Sequence, residues 1–177
     1  MRYHDITHDD MKNGDGLRVV LWLSGCDHAC PGCQNPVTWD PNDGLLFDDA
    51  AKDEIYSALG MDYISGITFS GGDPLFETNR EEVATLCQEI RKDFPDKTIW
   101  MYTGYSFEDI ISQKDCRDTI LRYIDVLVDG KYIESLREVT MHWAGSTNQR
   151  VIDVNKSLEQ NLTVLYGRKD NDKNIKD

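Results

Sequence analysis

Three cysteines, Cys26, Cys30 and Cys33, lie close together in the first quarter of the chain. In a helix, their spacing would place the three sulfur atoms on one face, but Gly25 and Pro31 favour a loop instead. A loop can fold thiolates around a metal centre, and a bound metal keeps their sulfur atoms deprotonated. The spacing therefore indicates a metal site.

Two kinds of metal site fit these cysteines. Structural zinc takes four protein ligands in a tetrahedron, and His28 is a candidate for the fourth. A four-iron cluster usually has four thiolate ligands, so three local cysteines would leave one iron free to bind something other than protein. Of the remaining cysteines, Cys87 falls on the apolar stripe of a predicted helix, where a buried structural role is common, and Cys116 has no nearby partner. The cysteines alone do not separate zinc from iron-sulfur.

A second loop, residues 70–74 (Ser-Gly-Gly-Asp-Pro), also carries groups suited to ligand binding. Its adjacent glycines, Gly71 and Gly72, would let the backbone come close to a ligand, and Asp73 adds an anionic acceptor. Such a loop suits an ammonium group. The alternative is an ordinary tight turn between a strand and a helix, and the presence of the cysteine motif earlier in the chain favours the ligand-binding interpretation.

Strands and helices alternate around these loops. Apolar, strand-forming runs predict strands at 17–23, 64–69, 98–103, 125–128 and 150–154, with a weaker one at 163–166. Helical spacing predicts helices from Asp48 to Gly60, after a Thr78/Glu81 capping box, after Ser106, and at 119–123. This α/β pattern predicts a mostly parallel sheet whose C-terminal strand ends carry both loops.

Length and composition limit the classes of protein to consider. A chain of 177 residues fits one domain, here 1–166, followed by a polar tail at 167–177 that we expect to be disordered. The formal net charge of -13 argues against a nucleic-acid partner. We find no apolar run that could span a bilayer and no signal peptide. We therefore expect a cytoplasmic protein without a membrane partner, in a reducing compartment where clustered cysteines bind metals.

The cysteine spacing after one strand and the Gly-Gly-acid loop after the next resemble the radical S-adenosylmethionine (SAM) superfamily. Within it, the chain is most similar to the family that activates anaerobic ribonucleoside-triphosphate reductases. The likeness runs to about Val154 and includes residues 13–18 (Asn-Gly-Asp-Gly-Leu-Arg), 24–26, 30–35, 38–39, 70–75, 100–105, 126–131 (Val-Leu-Val-Asp-Gly-Lys) and 145–150. Together these segments are specific, because a zinc module has no reason to carry them.

The resemblance implies a fold and two cofactors. The fold is a single-domain radical SAM partial (β/α) barrel, left open on one side. The cofactors are one 4Fe-4S cluster on Cys26, Cys30 and Cys33, and SAM on the free iron. By the same likeness, the residues that would line the methionine end of SAM are Gly71, Gly72 and Asp73, and those along its nucleoside are Gly32, Cys33 and Gln34.

The implied activity is reductive cleavage of SAM to a 5'-deoxyadenosyl radical, which generates a glycyl radical on the anaerobic ribonucleoside-triphosphate reductase. The electron would come from a reductant such as flavodoxin. No acid-base pair is needed, so His4, His8, His28 and His142 are not assigned to catalysis. Two alternatives stay open. The first is an activase of pyruvate formate-lyase, although in such activases the segment before the first strand usually has the sequence Asp-Gly-Pro-Gly, where this chain has Asn-Gly-Asp-Gly. The second is a non-enzymatic zinc-binding interaction module.

Overall fold

The computed structural model describes residues 1–113 and 115–167. Its strands are β1 (Arg2–Asp10), β2 (Leu17–Leu23), β3 (Leu45–Leu46), β4 (Ile64–Gly71), β5 (Thr98–Tyr102), β6 (Val126–Asp129) and β7 (Arg150–Asp153). Its α-helices are α1 (Asp49–Leu59), α2 (Arg80–Asp93), α3 (Phe107–Ser112), α4 (Cys116–Ile120) and α5 (Val154–Gln160). Short 3-10 helices occupy Pro36–Thr38 and Glu134–Leu136. The predicted polar tail, apart from Gly167, lies outside the described residues.

The strands form one mixed sheet in the order β3-β1-β2-β4-β5-β6-β7. The four central strands β2, β4, β5 and β6 run parallel, whereas β1, β3 and β7 are antiparallel to their neighbours. The predicted α/β class is therefore confirmed, and the predicted mostly parallel sheet is a mixed sheet whose four central strands are parallel. Strand β1 was not predicted, because Ile6 is its only buried residue and its polar sequence lacks the apolar run of a buried strand.

The predicted N-terminal caps are present on two helices and absent from a third. Asp48 caps α1 by accepting from the backbone N–H of Ala51, and Ser106 caps α3 through the N–H of Asp109. The predicted capping box at Thr78 is wrong, because α2 starts one residue later than that motif requires, with Asn79 at its N-cap position.

One further helix and one strand also differ from their predicted positions. The helix predicted at 119–123 forms earlier, as α4, because Asp115 caps it through the N–H of Arg117. Of the strand predicted at 163–166, the described residues form only an isolated bridge between Leu165 and Ile152.

The two faces of the sheet are covered differently. On one face, alternate strand residues pack against the helices in the main core, including Val19, Leu21, Ile67, Phe69, Ile99, Met101, Leu127 and Ile152. The other face carries a second cluster of Trp100, Val126 and Val128. That cluster is covered by residues of 130–149, which we call the cover segment, and by Tyr166. The helices therefore leave one face of the sheet to loops. In the described part of the chain, no helix has the length and apolarity needed to cross a membrane.

Candidate functional site

A cavity of about 520 Å³ opens where the parallel strands end. Loops that follow β2, β4, β5 and β6 all contribute to its walls. Cys26, Cys30 and Cys33 line it and are partly exposed there. Because parallel strands present their carboxyl ends at one edge, the fold brings the cysteine motif and the Gly-Gly-Asp motif into one site. This juxtaposition was predicted from the sequence.

Backbone amide groups act on the sulfur atoms of all three cysteines. The N–H of Asn35 donates to Cys33 Sγ at 3.3 Å. The backbone amides of His28 and of Tyr132, from the cover segment, act to lower the pKa of the Cys26 and Cys30 thiols, respectively. Burial nevertheless dominates and raises the pKa of Cys26 to about 11. Hydrogen bonds of this kind stabilise thiolates and tune the potential of iron-sulfur clusters.

The donor set fits a cubane cluster better than a single zinc ion. A cubane places its cysteine ligands on different iron atoms, so the sulfurs need not converge on one point. Within residues 1–113 and 115–167, no group of three or more His, Cys, Asp or Glu side chains is placed to hold a single metal ion. His28, the candidate fourth zinc ligand, directs its Nε2 atom to Asp73 instead.

The remaining cysteines lie away from this cavity. Cys87 is fully buried on α2 within the main core, as predicted, and burial raises the pKa of its thiol. Cys116 starts α4 and is only partly buried. Among the described residues, therefore, the cavity is lined by three cysteines and His28, with no further cysteine or histidine. Three cysteines would leave one iron of a four-iron cluster without a cysteine ligand.

The Gly-Gly-Asp segment, residues 71–75 and here called the glycine loop, packs directly on the loop that carries the cysteines. The N–H of Gly72 donates to Leu23 O at 2.7 Å, and that of Asp73 donates to Gly25 O at 2.8 Å. A β-carbon on Gly71 would lie 2.9 Å from the backbone of Leu23, and one on Gly72 would lie 2.5 Å from Gly25 O. Chain packing alone therefore requires both glycines, in addition to any role toward a ligand.

Asn79 strengthens this contact between the two loops. Its buried side-chain amide donates to Ser24 O at 2.8 Å and to Asp73 O at 3.0 Å. With its amide nitrogen held by these two carbonyls, Asn79 makes no side-chain cap at the start of α2. The residue at the N-cap position of α2 thus joins the glycine loop to the loop that carries the three cysteines, here called the cysteine loop.

Of the residues expected to bind SAM, all but one line the cavity. Cys33, Gln34, Gly71, Gly72 and Asp73 line the cavity. Gly32 is not part of its lining. It adopts a φ of +72°, and a β-carbon there would lie 2.8 Å from the Glu134 carboxyl group in the cover segment.

Sequence reasoning missed several groups that complete the site. Thr103 and Gly104, just beyond β5, donate to Asp73. Tyr132, Trp143 and other cover-segment residues close one side of the cavity. Thr103 and Gly104 follow a strand end in the same sheet, which is the one sequence signal that could have identified them. Tyr132 acts through its backbone, which no residue type reveals.

Comparisons with known proteins agree with this geometry. Residues 12–152 match a family model described as a 4Fe-4S single cluster domain. Three proteins named anaerobic ribonucleoside-triphosphate reductase-activating protein are similar to the chain. The one from Enterobacteria phage T4 is 44% identical over 151 residues, which cover 85% of this chain and 93% of that protein. The one from Haemophilus influenzae is 40% identical over 84% of this chain and 96% of that protein.

The Escherichia coli K12 protein of the same name is 40% identical over 153 residues, covering 85% of this chain and 97% of that protein. Identities of this size over nearly the whole length of each relative confirm the resemblance drawn from the motifs. The chain belongs to the family of anaerobic ribonucleoside-triphosphate reductase-activating proteins, and most of its length matches a 4Fe-4S single cluster domain.

Proposed function

We propose that this chain is a radical SAM activase that generates the glycyl radical of an anaerobic ribonucleoside-triphosphate reductase. The observation that carries the proposal is the set of three cysteines that line one cavity, with no fourth cysteine beside them in the described residues. Membership of the activating-protein family supports the same activity and the same protein substrate.

Cys26, Cys30 and Cys33 would hold the cluster. When bound, the reduced cluster supplies the electron that splits SAM into methionine and a 5'-deoxyadenosyl radical, which takes a hydrogen atom from a glycine Cα of the reductase. We assign delivery of that electron to a reductant such as flavodoxin. The chain itself contributes orientation and exclusion of water and oxygen, and needs no acid-base pair.

The cavity is lined by more than the three cysteines. The backbone of Gly71 and Gly72 lies on one side, and Gln34 follows directly after a cysteine ligand. We assign the methionine end of SAM to the glycine loop and its nucleoside to the side of Cys33 and Gln34. Gly32 would act only through its backbone, since Glu134 occupies the space beside its α-carbon.

We further propose that residues 1–166 form one radical SAM domain with a partial (β/α) barrel. The support is the two-faced sheet: helices cover one face, while the other carries Arg18, Trp100 and Tyr102 beneath loops, as the inner face of an open barrel would. The parallel order β2-β4-β5-β6, with its strand ends around the cavity, fits the same architecture.

The test is anaerobic reconstitution with iron and sulfide, followed by SAM and a strong reductant. We expect about four irons per chain and release of 5'-deoxyadenosine. Metal analysis of anaerobically purified protein addresses the zinc alternative, since zinc without iron would favour a binding module. Mixing the reduced protein separately with the reductase and with pyruvate formate-lyase addresses the substrate. Tight iron binding without any 5'-deoxyadenosine would refute the enzymatic proposal.

A further inference from the structure

A buried pair of side chains joins the two loops of the site. His28 lies between the first two cysteines of the motif, and Asp73 ends the Gly-Gly-Asp sequence. The His28 Nε2 atom is 2.7 Å from Asp73 Oδ2, across 45 positions of the chain. The side chains are 7% and 2% exposed, respectively. Because a carboxylate only accepts hydrogen bonds, Nε2 carries the hydrogen of this contact.

The carboxylate of Asp73 has no free acceptor site. Oδ1 accepts from the N–H of Leu75 at 2.8 Å, and Oδ2 accepts from the N–H of Gly104 at 2.9 Å. The Thr103 hydroxyl lies 3.0 Å from both oxygens, and His28 is the fourth donor. A carboxylate offers about four lone-pair sites. An ammonium group could bind Asp73 only by displacing one of these buried donors.

His28 in turn positions a cluster ligand. It lies two residues after Cys26 and two before Cys30, so fixing the main chain at His28 limits the movement of both cysteines. Its imidazole fills the space beside Gly104, where a β-carbon would come within 2.3 Å of the ring. Tyr105 packs edge-on against the same ring, with centroids 4.7 Å apart. The imidazole thereby contacts groups from the loops after β4 and β5.

We propose that His28 and Asp73 act as a latch that holds the cysteine loop in the geometry the cluster needs, so that both are positioning residues. In this assignment the Asp73 side chain does not contact SAM, and recognition of the methionine ammonium falls to other groups of the glycine loop. The inference rests on the proposed function for the identity of the cluster and of SAM, and it adds that the acid of the glycine loop serves the cluster instead of the nucleotide.

The test compares matched variants by a readout that does not depend on turnover. His28→Gln keeps an amide N–H donor of similar reach, whereas His28→Leu has similar volume and no donor. Asp73→Ala and the His28→Leu/Asp73→Ala double variant complete a cycle. Each reconstituted protein is challenged with an iron chelator in the absence of SAM, and the rate of iron loss is measured. Far-UV circular dichroism of the metal-free proteins reports whether each variant folds.

We expect His28→Leu and Asp73→Ala each to lose iron about 10- to 100-fold faster than the parent, the range typical of groups that orient metal ligands. Their effects should not multiply in the double variant, because each change breaks the same contact. His28→Gln should lose iron at close to the parental rate. Equal rates for His28→Gln and His28→Leu would overturn the latch.

A second readout addresses the role of Asp73 toward SAM. The latch predicts that variants which retain cluster bind SAM with similar affinity, measured as the SAM-induced change in the electron paramagnetic resonance spectrum of the reduced cluster. Loss of SAM binding in Asp73→Ala with parental iron retention would instead assign that carboxylate to the ammonium and overturn the proposal. A parent protein that never cleaves SAM would refute the proposed function. The rates of iron loss to the chelator would still test the latch, because they are measured without SAM.

Discussion

Gly104 lies so close to His28 that a β-carbon on Gly104 would come within 2.3 Å of the His28 ring atom Cδ2. The contact joins the loop after β5 to the middle of the cysteine motif. Real β-carbons do not approach other atoms this closely, so any side chain at position 104 must displace the imidazole or the loop.

Gly104→Ala therefore should release iron faster than the parent under chelator challenge, and should lower the yield of cluster on reconstitution. Gly60→Ala is the matched control, because its β-carbon would meet only ordinary contacts at 3.5 Å. Iron content after reconstitution measures both. Parental iron content in Gly104→Ala would show that the site tolerates movement of His28.

The cysteines should divide into two groups. Replacing Cys26, Cys30 or Cys33 by Ala should abolish the cluster and with it SAM cleavage. Cys87→Ala should retain both and cost on the order of 1 kcal/mol of stability, because it removes a small buried group from the core. Cys116→Ser should behave like the parent. Iron analysis and thermal unfolding separate these results, and equal loss of iron in Cys87→Ala would force a new assignment of ligands.

Much of this site was predictable because its motifs stand at strand ends. The strand at 17–23 and its following loop appear as predicted, and the strand leading to Gly71 is only two residues longer. What the sequence could not show is how the two loops meet. From the sequence alone, the Asp73 carboxylate is expected to be free to accept hydrogen bonds from a ligand. Only the fold shows that Thr103 and Gly104 already donate to it. Tertiary partners of this kind leave no local pattern.

Two other differences have similar causes. Strand β1 is recognised by its pairing with β2, not by its own mostly polar residues. Asn79 stands at the N-cap position of α2 without a side-chain cap, and its amide bonds instead to the backbone of the cysteine and glycine loops. The domain boundary at 166 and the proposed SAM contacts stay predictions.

Arg18 anchors the opposite end of the parallel sheet. Its fully buried guanidinium donates to the hydroxyls of Thr68 and Thr98 and to the carbonyls of Asp15, Ile67 and Thr98, at 2.7 to 2.9 Å. It also lies over the ring of Trp100. Burial lowers the pKa of Arg18 to about 10, which leaves it charged at neutral pH.

Arg18→Met should therefore destabilise the protein by about 3 kcal/mol, because it leaves several buried acceptors without a hydrogen-bond donor while keeping most of the apolar part of the side chain. Arg18→Lys should cost less, since it keeps one charged donor group. Urea unfolding of the metal-free protein measures both. A loss below about 0.5 kcal/mol for Arg18→Met, the range of ordinary surface changes, would contradict this account.

Acid should weaken a contact between α3 and β7. Glu108 accepts from Arg150 at 2.6 and 3.1 Å and from Thr163 at 2.7 Å. The bonds from Arg150 lower the pKa of Glu108 from its usual 4.5 to about 2. A depressed carboxylate pKa stabilises the fold above the unfolded pKa, and this contribution is lost as pH falls from about 4.5 toward 2.

Glu108→Gln should remove that part of the pH dependence and cost about 0.5 kcal/mol at neutral pH, a small value because the Glu108 side chain is 57% exposed. Glu159→Gln, at an exposed position on α5, makes the same charge change as a control. Thermal unfolding between pH 3 and 7 measures both variants. Identical pH profiles for Glu108→Gln and the parent would count against the ion pair.

The most direct measurement of the central claim is an electron paramagnetic resonance spectrum of the reductase after incubation with this chain. The chain is loaded anaerobically with iron and sulfide, reduced, and mixed with SAM and an anaerobic ribonucleoside-triphosphate reductase. We predict a glycine-centred radical on the reductase that is absent when SAM is omitted or when Cys30→Ala replaces the parent. A fully loaded, reduced protein that leaves the reductase without that radical would contradict the account.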